Sequence, residues 1–292
     1  MPKPPPETPD TPETPETPET PEVPGSPDTP DSAEASWGDG LRFAFGTLTV
    51  FPVAVRRWDR GAARAGMLSA PVAGLAVGVL AAAAGLFLLV LGAGPLLAAV
   101  ATVAVPAVLT RGLHLDGLAD TADGLGSGKP AVDALRVMKQ SDIGPFGVVT
   151  LLFVLLAQVA ALSQAYGDSW TRGALAAVVA GAAGRLVLTL AARVGVPAAR
   201  PEGLGAVVAG TVPGRGALLV GVGVTVLAAG AGVGLGGYGV LGSGLAVVLA
   251  CGGAEGLSRH CARRFGGVTG DVFGALEETA VTVALVVFCL FA

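Results

Sequence analysis

The chain has 292 residues, of which 52% are hydrophobic and only 14% are charged, and its mean hydropathy is +0.69. A soluble domain usually carries about 25% charged residues, so this composition excludes an ordinary soluble enzyme. The net charge of −4, the lack of a dense basic patch and the 5% aromatic content also exclude nucleic acid as the main partner.

Residues 1–37 form a proline-rich acidic tail. Its first 35 residues hold 12 of the 21 prolines and nine acidic residues against one lysine, and residues 8–22 repeat Thr-Pro-[Asp/Glu] five times. Proline favours extended geometry and like charges repel, so we predict a disordered spacer here. The remaining chain is mildly basic and strongly apolar. We therefore divide the protein into a disordered tail, 1–37, and an integral membrane domain, 38–292.

Long uncharged stretches follow the tail, and a membrane helix needs about 20 mostly apolar residues. Residues 65–110 predict two spans with a break near 93–95, and residues 143–167 and 173–192 predict one span each. Residues 216–254 predict two spans with a hinge near 236–238, and residues 274–292 predict the last. The expected fold class is all-α, a polytopic membrane helix bundle with about seven transmembrane helices.

Basic residues fall on alternate connections between these spans. Segments 41–64, 111–142, 193–215 and 255–273 contain Arg or Lys, whereas the connections near 94, 165–172 and 237 contain only Arg172. The positive-inside rule places the basic segments in the cytoplasm. We therefore expect a multi-pass protein of the cytoplasmic membrane whose chemistry faces the cytoplasm.

One basic segment also carries an acidic stripe. Asp116, Asp120 and Asp123 are spaced i, i+4, i+7, which places them on one face of a helix. Such carboxylates repel each other unless a cation lies between them, and Mg²⁺ typically takes one or two carboxylates plus substrate phosphates. The stripe predicts a metal site for a phosphate-bearing substrate; the alternative is a solvated acidic loop. His114 is a weaker candidate, for hydrogen bonding or proton transfer.

A second acidic group lies near the C-terminus. It contains Thr269, Asp271 and Glu278 among several glycines, which allow close backbone approach to a ligand. This group either completes the metal site or holds the acceptor, or it is a helix N-terminus with favourable acidic residues.

Anionic substrates also need cations, and the candidates include Arg111, Lys139, Arg185 and Arg200. Arg185 lies inside a predicted span, where a charge is a functional candidate by default, although its side chain could instead extend toward the membrane surface.

Residues 113–125, Leu-His-Leu-Asp-Gly-Leu-Ala-Asp-Thr-Ala-Asp-Gly-Leu, resemble the signature of the cobalamin synthase (adenosylcobinamide-GDP ribazoletransferase) family. Segments 138–147, 200–205 and 267–278 resemble three further blocks of that family. In the first of these, Gln140 and Asp142 stand where the family has Asp and Arg, so Lys139 is the better phosphate contact.

The resemblance implies that adenosylcobinamide-GDP is joined to α-ribazole or its 5′-phosphate, with release of GMP, in a Mg²⁺-dependent reaction at the membrane. Besides the substrates and the lipid bilayer, the expected partners are a second copy of the chain or other enzymes of the corrinoid pathway.

The base that accepts the ribose proton is Asp123 or Asp271. The implied catalytic residues are Asp116, Asp120, Asp123 and Asp271, the first three being the metal ligands; the implied substrate contacts are Arg111, His114, Lys139, Ser141, Arg185, Arg200, Thr269 and Glu278.

Two other functional classes remain at this stage. A CDP-alcohol phosphotransferase of lipid synthesis also uses an Asp-rich helix, but its pattern needs Ala-Arg after Asp-Gly, and here Ala119 is followed by Asp120. A membrane transporter would show internal repeats and broken helices at the membrane midplane. The sequence shows no repeat, and its acidic groups lie at one surface.

Overall fold

The computed structural model describes residues 1, 3 and 35–291. Within them the chain forms eleven α-helices and no β-strand, which confirms the all-α prediction. The helices are α1 (Trp37–Leu48), α2 (Arg60–Val90), α3 (Pro95–Leu109), α4 (Leu113–Gly126), α5 (Ala131–Val137), α6 (Pro145–Asp168), α7 (Trp170–Ala191), α8 (Leu204–Val208), α9 (Gly214–Ala231), α10 (Gly236–Phe265) and α11 (Gly270–Leu290).

The helical body begins at Trp37, one residue before the predicted domain boundary. Ser36 and Asp39 form a capping box there: the Ser36 hydroxyl accepts from the Asp39 amide, and the Asp39 carboxylate accepts from the Ser36 amide, both at 3.1 Å. The predicted disordered tail, 1–37, lies outside the described residues except for positions 1, 3 and 35–37.

By length and composition, five helical segments could cross a membrane: α2, α6, α7, Gly214–Phe265 and α11. A sixth is added if α3 and α4, which meet at a bend of 88°, form one broken span. Six segments are one fewer than the predicted seven, because Gly214–Phe265 counts as one segment of 52 residues where the sequence predicts two spans. A 3-10 turn at Gly232–Leu235 divides that segment near the predicted hinge, and α9 and α10 pack against each other.

Large apolar side chains cover the outside of these helices. Phe87 on α2, Leu97 on α3, Phe153 on α6 and Leu227 on α9 are each more than half exposed. Water disfavours such surface by about 25 cal/mol per Å² of apolar area, whereas lipid does not. The helices therefore indicate a multi-pass membrane protein, as predicted.

The four basic segments meet at one end of the bundle, as the alternation of charge predicts. Lys139 lies 3.5 Å from Glu202, and Arg60 Nη2 donates to the Ala209 carbonyl at 3.0 Å. The opposite end holds Arg172, whose guanidinium donates to the Phe291 carbonyl. This shared end, called the basic end below, carries the candidate site.

Two glycines set the distance between α2 and α7, the most extensively packed helix pair. A Cβ added at Gly181 of α7 would lie 2.7 Å from the carbonyl oxygen of Gly74 on α2. Small residues allow this close backbone contact, which supplies van der Waals packing where lipid gives no hydrophobic driving force.

A buried ion pair joins α7 to α11 inside the bundle. Arg185 and Glu277 are each 2% exposed and pair directly, and His114 Nδ1 of α4 lies 3.5 Å from Arg185 Nη2. The guanidinium is thus paired within the bundle through its Nη atoms instead of extending to the membrane surface, while its buried Nε has no hydrogen-bond partner among the described residues. The pair ties α4, α7 and α11 together at the base of the candidate site.

Glu278 lies beside this pair and faces α6. Its Oε2 accepts a hydrogen bond from Gln158 Nε2 at 2.8 Å, and the same Nε2 is 3.1 Å from the Thr282 hydroxyl. Glu278 therefore links α11 to α6.

We expect Gly181→Val to lower the thermal unfolding midpoint of the detergent-solubilised protein, because overpacking of a close contact costs about 1–3 kcal/mol. Gly223→Val is the matched control, since a Cβ there meets no atom within 4 Å. Equal midpoints for the two variants would contradict the close contact.

We expect Glu277→Ala to be more severe, because it leaves Arg185 buried without its partner, a loss of about 3–5 kcal/mol. The double variant Arg185→Met, Glu277→Ala should recover much of the midpoint, and the exposed Glu202→Ala should leave it unchanged. Failure of the double variant to recover would show that the charge pairing does not dominate at this position.

Candidate active site

The site begins at the bend between α3 and α4. Arg111 and Gly112 both adopt positive φ, at 53° and 70°. Glycine takes this conformation without strain, whereas a non-glycine residue rarely does. The bend turns α4 by 88° relative to α3, so α4 and its aspartates lie across the basic end of the bundle.

Glycines on α4 and α11 let these two helices touch. A Cβ at Gly117 would lie 2.6 Å from the Asp271 carbonyl oxygen, and a Cβ at Gly274 would lie 3.0 Å from the His114 carbonyl oxygen. The contact brings Asp116 beside the first turn of α11, which carries Asp271. The two acidic groups, separated by 155 positions in the sequence, therefore lie side by side at the basic end.

An open cavity of about 840 Å³ lies on one side of Asp116. Asp116 is exposed and Asp120 is half-buried, and neither carboxylate forms a hydrogen bond or ion pair with the described part of the chain. Five predicted site residues line this cavity: Arg111, Asp116, Asp120, Lys139 and Ser141.

The sequence gives no signal for other residues of this lining. Thr47, Thr49 and Thr110 reach the open cavity from the end of α1 and the end of α3. They belong to no motif, and only the folding of α1 against the bundle brings Thr47 and Thr49 near Asp116.

A second, more enclosed cavity of about 260 Å³ lies on the other side of Asp116. Asp271, Arg200, Thr269 and His114 line it. The Asp271 carboxylate accepts from the Thr269 hydroxyl at 3.2 Å and from Arg200 Nη1 at 3.4 Å. Arg200 Nη2 donates to the Leu135 carbonyl at 2.6 Å, so its guanidinium orients Asp271 and is already engaged.

Asp123 differs from the other two aspartates of the stripe. Its Oδ2 accepts from the Gly144 amide at 2.7 Å and its Oδ1 from the Gly147 amide at 2.9 Å. The carboxylate thus caps the N-terminus of α6, where a negative charge and an acceptor are both favourable. It is 7% exposed and lines neither cavity. We therefore leave Asp123 out of the metal set and out of the choice of base.

Arg185 and Glu278, both predicted to contact substrate, also line neither of these cavities. They border a cleft of about 40 Å³ between the spans, which is too small for a nucleotide. Their partners are Glu277 and Gln158. Arg185 joins α7 to α11 and Glu278 joins α11 to α6, so both residues connect the helices that carry the site.

The residues present fit a divalent cation whose coordination is completed by substrate. Among the described residues, no group of three or more His, Cys, Asp or Glu side chains is arranged to hold a metal ion. Asp116 and Asp120 nevertheless supply two unpaired carboxylates beside an open cavity. Two carboxylates and several substrate oxygens are what Mg²⁺ commonly takes, since it seldom uses an all-protein cage.

Comparison with known proteins identifies the family of this chain. Residues 40–289 match the family model of cobalamin-5-phosphate synthase. A Frankia casuarinae protein named adenosylcobinamide-GDP ribazoletransferase is 44% identical over 262 residues, covering 85% of this chain and 94% of that protein. Proteins of the same name from a Nocardioides species and from Corynebacterium efficiens are each 39% identical, covering 85% and 87% of this chain and 96% and 92% of their own length.

No solved structure matches the chain. The match of the family model and the extent of these similarities nonetheless include all four segments that resemble the family: the stripe on α4, the 138–147 segment, the 200–205 loop and the start of α11. The chain therefore belongs to the cobalamin-5-phosphate synthase family.

Proposed function

We propose that this protein transfers the adenosylcobinamide-phosphate group of adenosylcobinamide-GDP to α-ribazole or α-ribazole 5′-phosphate, releasing GMP. One observation carries the proposal: the four family-like segments, scattered over residues 113–278, converge at the basic end around Asp116. The names of its relatives support the transferase over a CDP-alcohol phosphotransferase or a transporter.

We place the diphosphate of the donor in the open cavity. Lys139 and Arg111 are exposed cations on its wall, and the contact of Lys139 with Glu202 joins two exposed side chains. Such a surface pair is worth about 0–1 kcal/mol, so Lys139 is free to bind a phosphate oxygen. Ser141 on the same wall adds a hydroxyl donor.

Asp116 and Asp120 would hold Mg²⁺ at this cavity. When bound, the ion would neutralise charge on the transferring phosphoryl group and on the departing GMP. The protein's part is to keep two carboxylates unpaired on one helical face. The bend at Gly112 and the contact at Gly117 fix that face toward the cavity.

The transfer step forms one phosphorus–oxygen bond and breaks another. A ribose hydroxyl of the acceptor attacks the phosphorus that carries cobinamide, and the bond from this phosphorus to the GMP oxygen breaks, with the electron pair leaving on GMP. The hydroxyl proton passes to Asp271. Thr269 and Arg200 hold that carboxylate by two hydrogen bonds, and it borders the enclosed cavity together with Asp116.

We further propose that the basic end faces the cytoplasm, in the cytoplasmic membrane. The positive-inside rule supports this orientation, since the Arg- and Lys-containing segments meet at that end. The nucleotide substrate would then reach the open cavity directly from the cytoplasm.

We expect Asp116→Asn to reduce GMP release at saturating substrate at least about 100-fold, the size of effect typical of a lost electrostatic contact in the transition state. The assay uses the full chain in nanodiscs with adenosylcobinamide-GDP and α-ribazole. Asp133→Asn is the control, because Asp133 pairs with Arg136 on the exposed face of α5. Near-normal release by Asp116→Asn would remove Asp116 from the mechanism.

A titration with Mg²⁺ separates ligands from structural carboxylates. We expect Asp120→Asn to raise the half-saturating Mg²⁺ concentration about tenfold or more, because it removes one of few protein oxygens at the ion. Asp123→Asn should leave that concentration unchanged but lower the thermal midpoint, because only one acceptor oxygen remains for the two amides of α6. The reverse pattern would restore Asp123 to the metal site and remove Asp120.

A further inference from the structure

The enclosed cavity differs from the open one in its chemistry. Buried apolar side chains from five elements form most of its wall, with Leu48, Met67, Leu188, Val208 and Phe273 contributing. At about 260 Å³ it is close to the lower limit for small-molecule sites, and an apolar wall with a few converging polar groups is typical of such sites.

Part of the polar lining of this cavity is shared with the open cavity. Asp116 lines both spaces, and Asp271 and Arg200 line the enclosed one. A ligand in the enclosed cavity would therefore present its polar part to Asp271 and its apolar part to the side chains from α2, α7 and α8.

His114 adds a buried polar atom without a partner. The ring is 3% exposed and lines the enclosed cavity. Its Nδ1 lies 3.5 Å from Arg185 Nη2 and 4.0 Å from Glu277 Oε2, so Arg185 is the one within hydrogen-bond distance, and a guanidinium only donates hydrogen bonds. Nδ1 is then the acceptor and Nε2 carries the proton. Across the described chain nothing accepts that proton.

We infer that the enclosed cavity is the binding site for the acceptor nucleoside, with its apolar aromatic base innermost and its ribose against Asp271. The base packs against the apolar wall, and its unprotonated ring nitrogen accepts the hydrogen bond from His114 Nε2. The ribose hydroxyls lie between Asp271 and Asp116, next to the diphosphate of a donor in the open cavity. The assignment rests on the proposed function, in that it names the acceptor as a nucleoside.

The chemistry of the cavity favours a nucleoside over a lipid chain. A lipid chain would leave the proton on His114 Nε2 without an acceptor in a confined space, which is costly, and it would offer no hydroxyl to the Asp271 carboxylate. A benzimidazole nucleoside matches both polar groups and the apolar wall.

Gly270 allows the cavity to be narrowed without disturbing its walls. It lines the cavity, and a Cβ there would meet only the Gly205 amide nitrogen, at 4.0 Å. We expect Gly270→Val to raise the KM for α-ribazole about tenfold or more, the discrimination typical of one or two extra carbons in an apolar pocket. The KM for adenosylcobinamide-GDP should stay within about twofold of the wild-type value.

Gly221→Val is the matched control, since a Cβ at Gly221 meets nothing within 4 Å and the residue lies on α9, outside both cavities. It should leave both KM values unchanged. If Gly270→Val does not fold, Gly270→Ala is measured in its place, with a smaller rise expected. A change in the donor KM alone, or in neither KM, would overturn the assignment.

Failure of the proposed function would be visible separately. If the wild-type protein releases no GMP from adenosylcobinamide-GDP with α-ribazole, the proposed transfer is wrong. Equilibrium dialysis of labelled α-ribazole against the full chain then tests, independently of the transfer, whether the enclosed cavity binds the nucleoside. Weaker binding by Gly270→Val than by Gly221→Val would support the site. Equal binding, or none to the wild type, would overturn it.

A second test addresses His114 and the ring nitrogen of the base. The probe is the indole analogue of α-ribazole, in which carbon replaces that ring nitrogen. We expect the wild-type protein to use this analogue with a kcat/KM about tenfold or more below that for α-ribazole, because the His114 donor loses its acceptor. His114→Leu should turn over both nucleosides equally poorly, and His114→Gln, which keeps a donor, should restore part of the preference for α-ribazole. A preference that persists in His114→Leu would exclude this hydrogen bond.

Discussion

The arrangement of the carboxylates depends on the contact between α4 and α11. Gly117 lets the two backbones meet at a distance that a Cβ would prevent, and a Cβ at Gly274 would be tight against α4. Asp116 then lies beside the first turn of α11, where Asp271 is held by Thr269 and Arg200. Asp116 lines both cavities, and Asp271 and Gly274 of α11 line the enclosed one, so the close packing of these two helices brings the lining residues together.

Buried charged groups connect α4 and α11 to the rest of the bundle. The pair of Arg185 and Glu277 connects α7 to α11 and reaches His114 on α4, while Glu278 connects α11 to α6. In lipid a lone charge in these positions is costly, so each of these groups disfavours any packing that removes its partner. We expect the network to specify the positions of the helices more than to add stability. It also gives a physical reason for an arginine within a span that lines neither of the two large cavities.

The three aspartates of the stripe show how far sequence reasoning reaches. The i, i+4, i+7 spacing correctly predicts one helical face, and it cannot distinguish a ligand from a cap. Asp123 is set apart only because the segment 138–147 folds back and begins α6 at Pro145, which brings the amides of Gly144 and Gly147 within reach of its carboxylate. Glu278 and Arg185 were expected to contact substrate but line neither of the two large cavities, for a similar reason. Their partners come from α6 and α11, which are distant in sequence.

The sequence by itself determined the all-helical class, the apolar spans, the alternation of basic connections and the family, because hydrophobic periodicity, charge and short motifs are local properties. The location of the hinge between α9 and α10 and the presence of acidic groups at one end also followed from local pattern. Tertiary structure alone decided which aspartates are unpaired, which arginine is buried in an ion pair, and that Asp116 stands between two cavities. Those properties depend on contacts between residues more than 20 positions apart, as between Asp123 and Gly144 or Arg185 and Glu277, and such contacts exist only once the helices have packed.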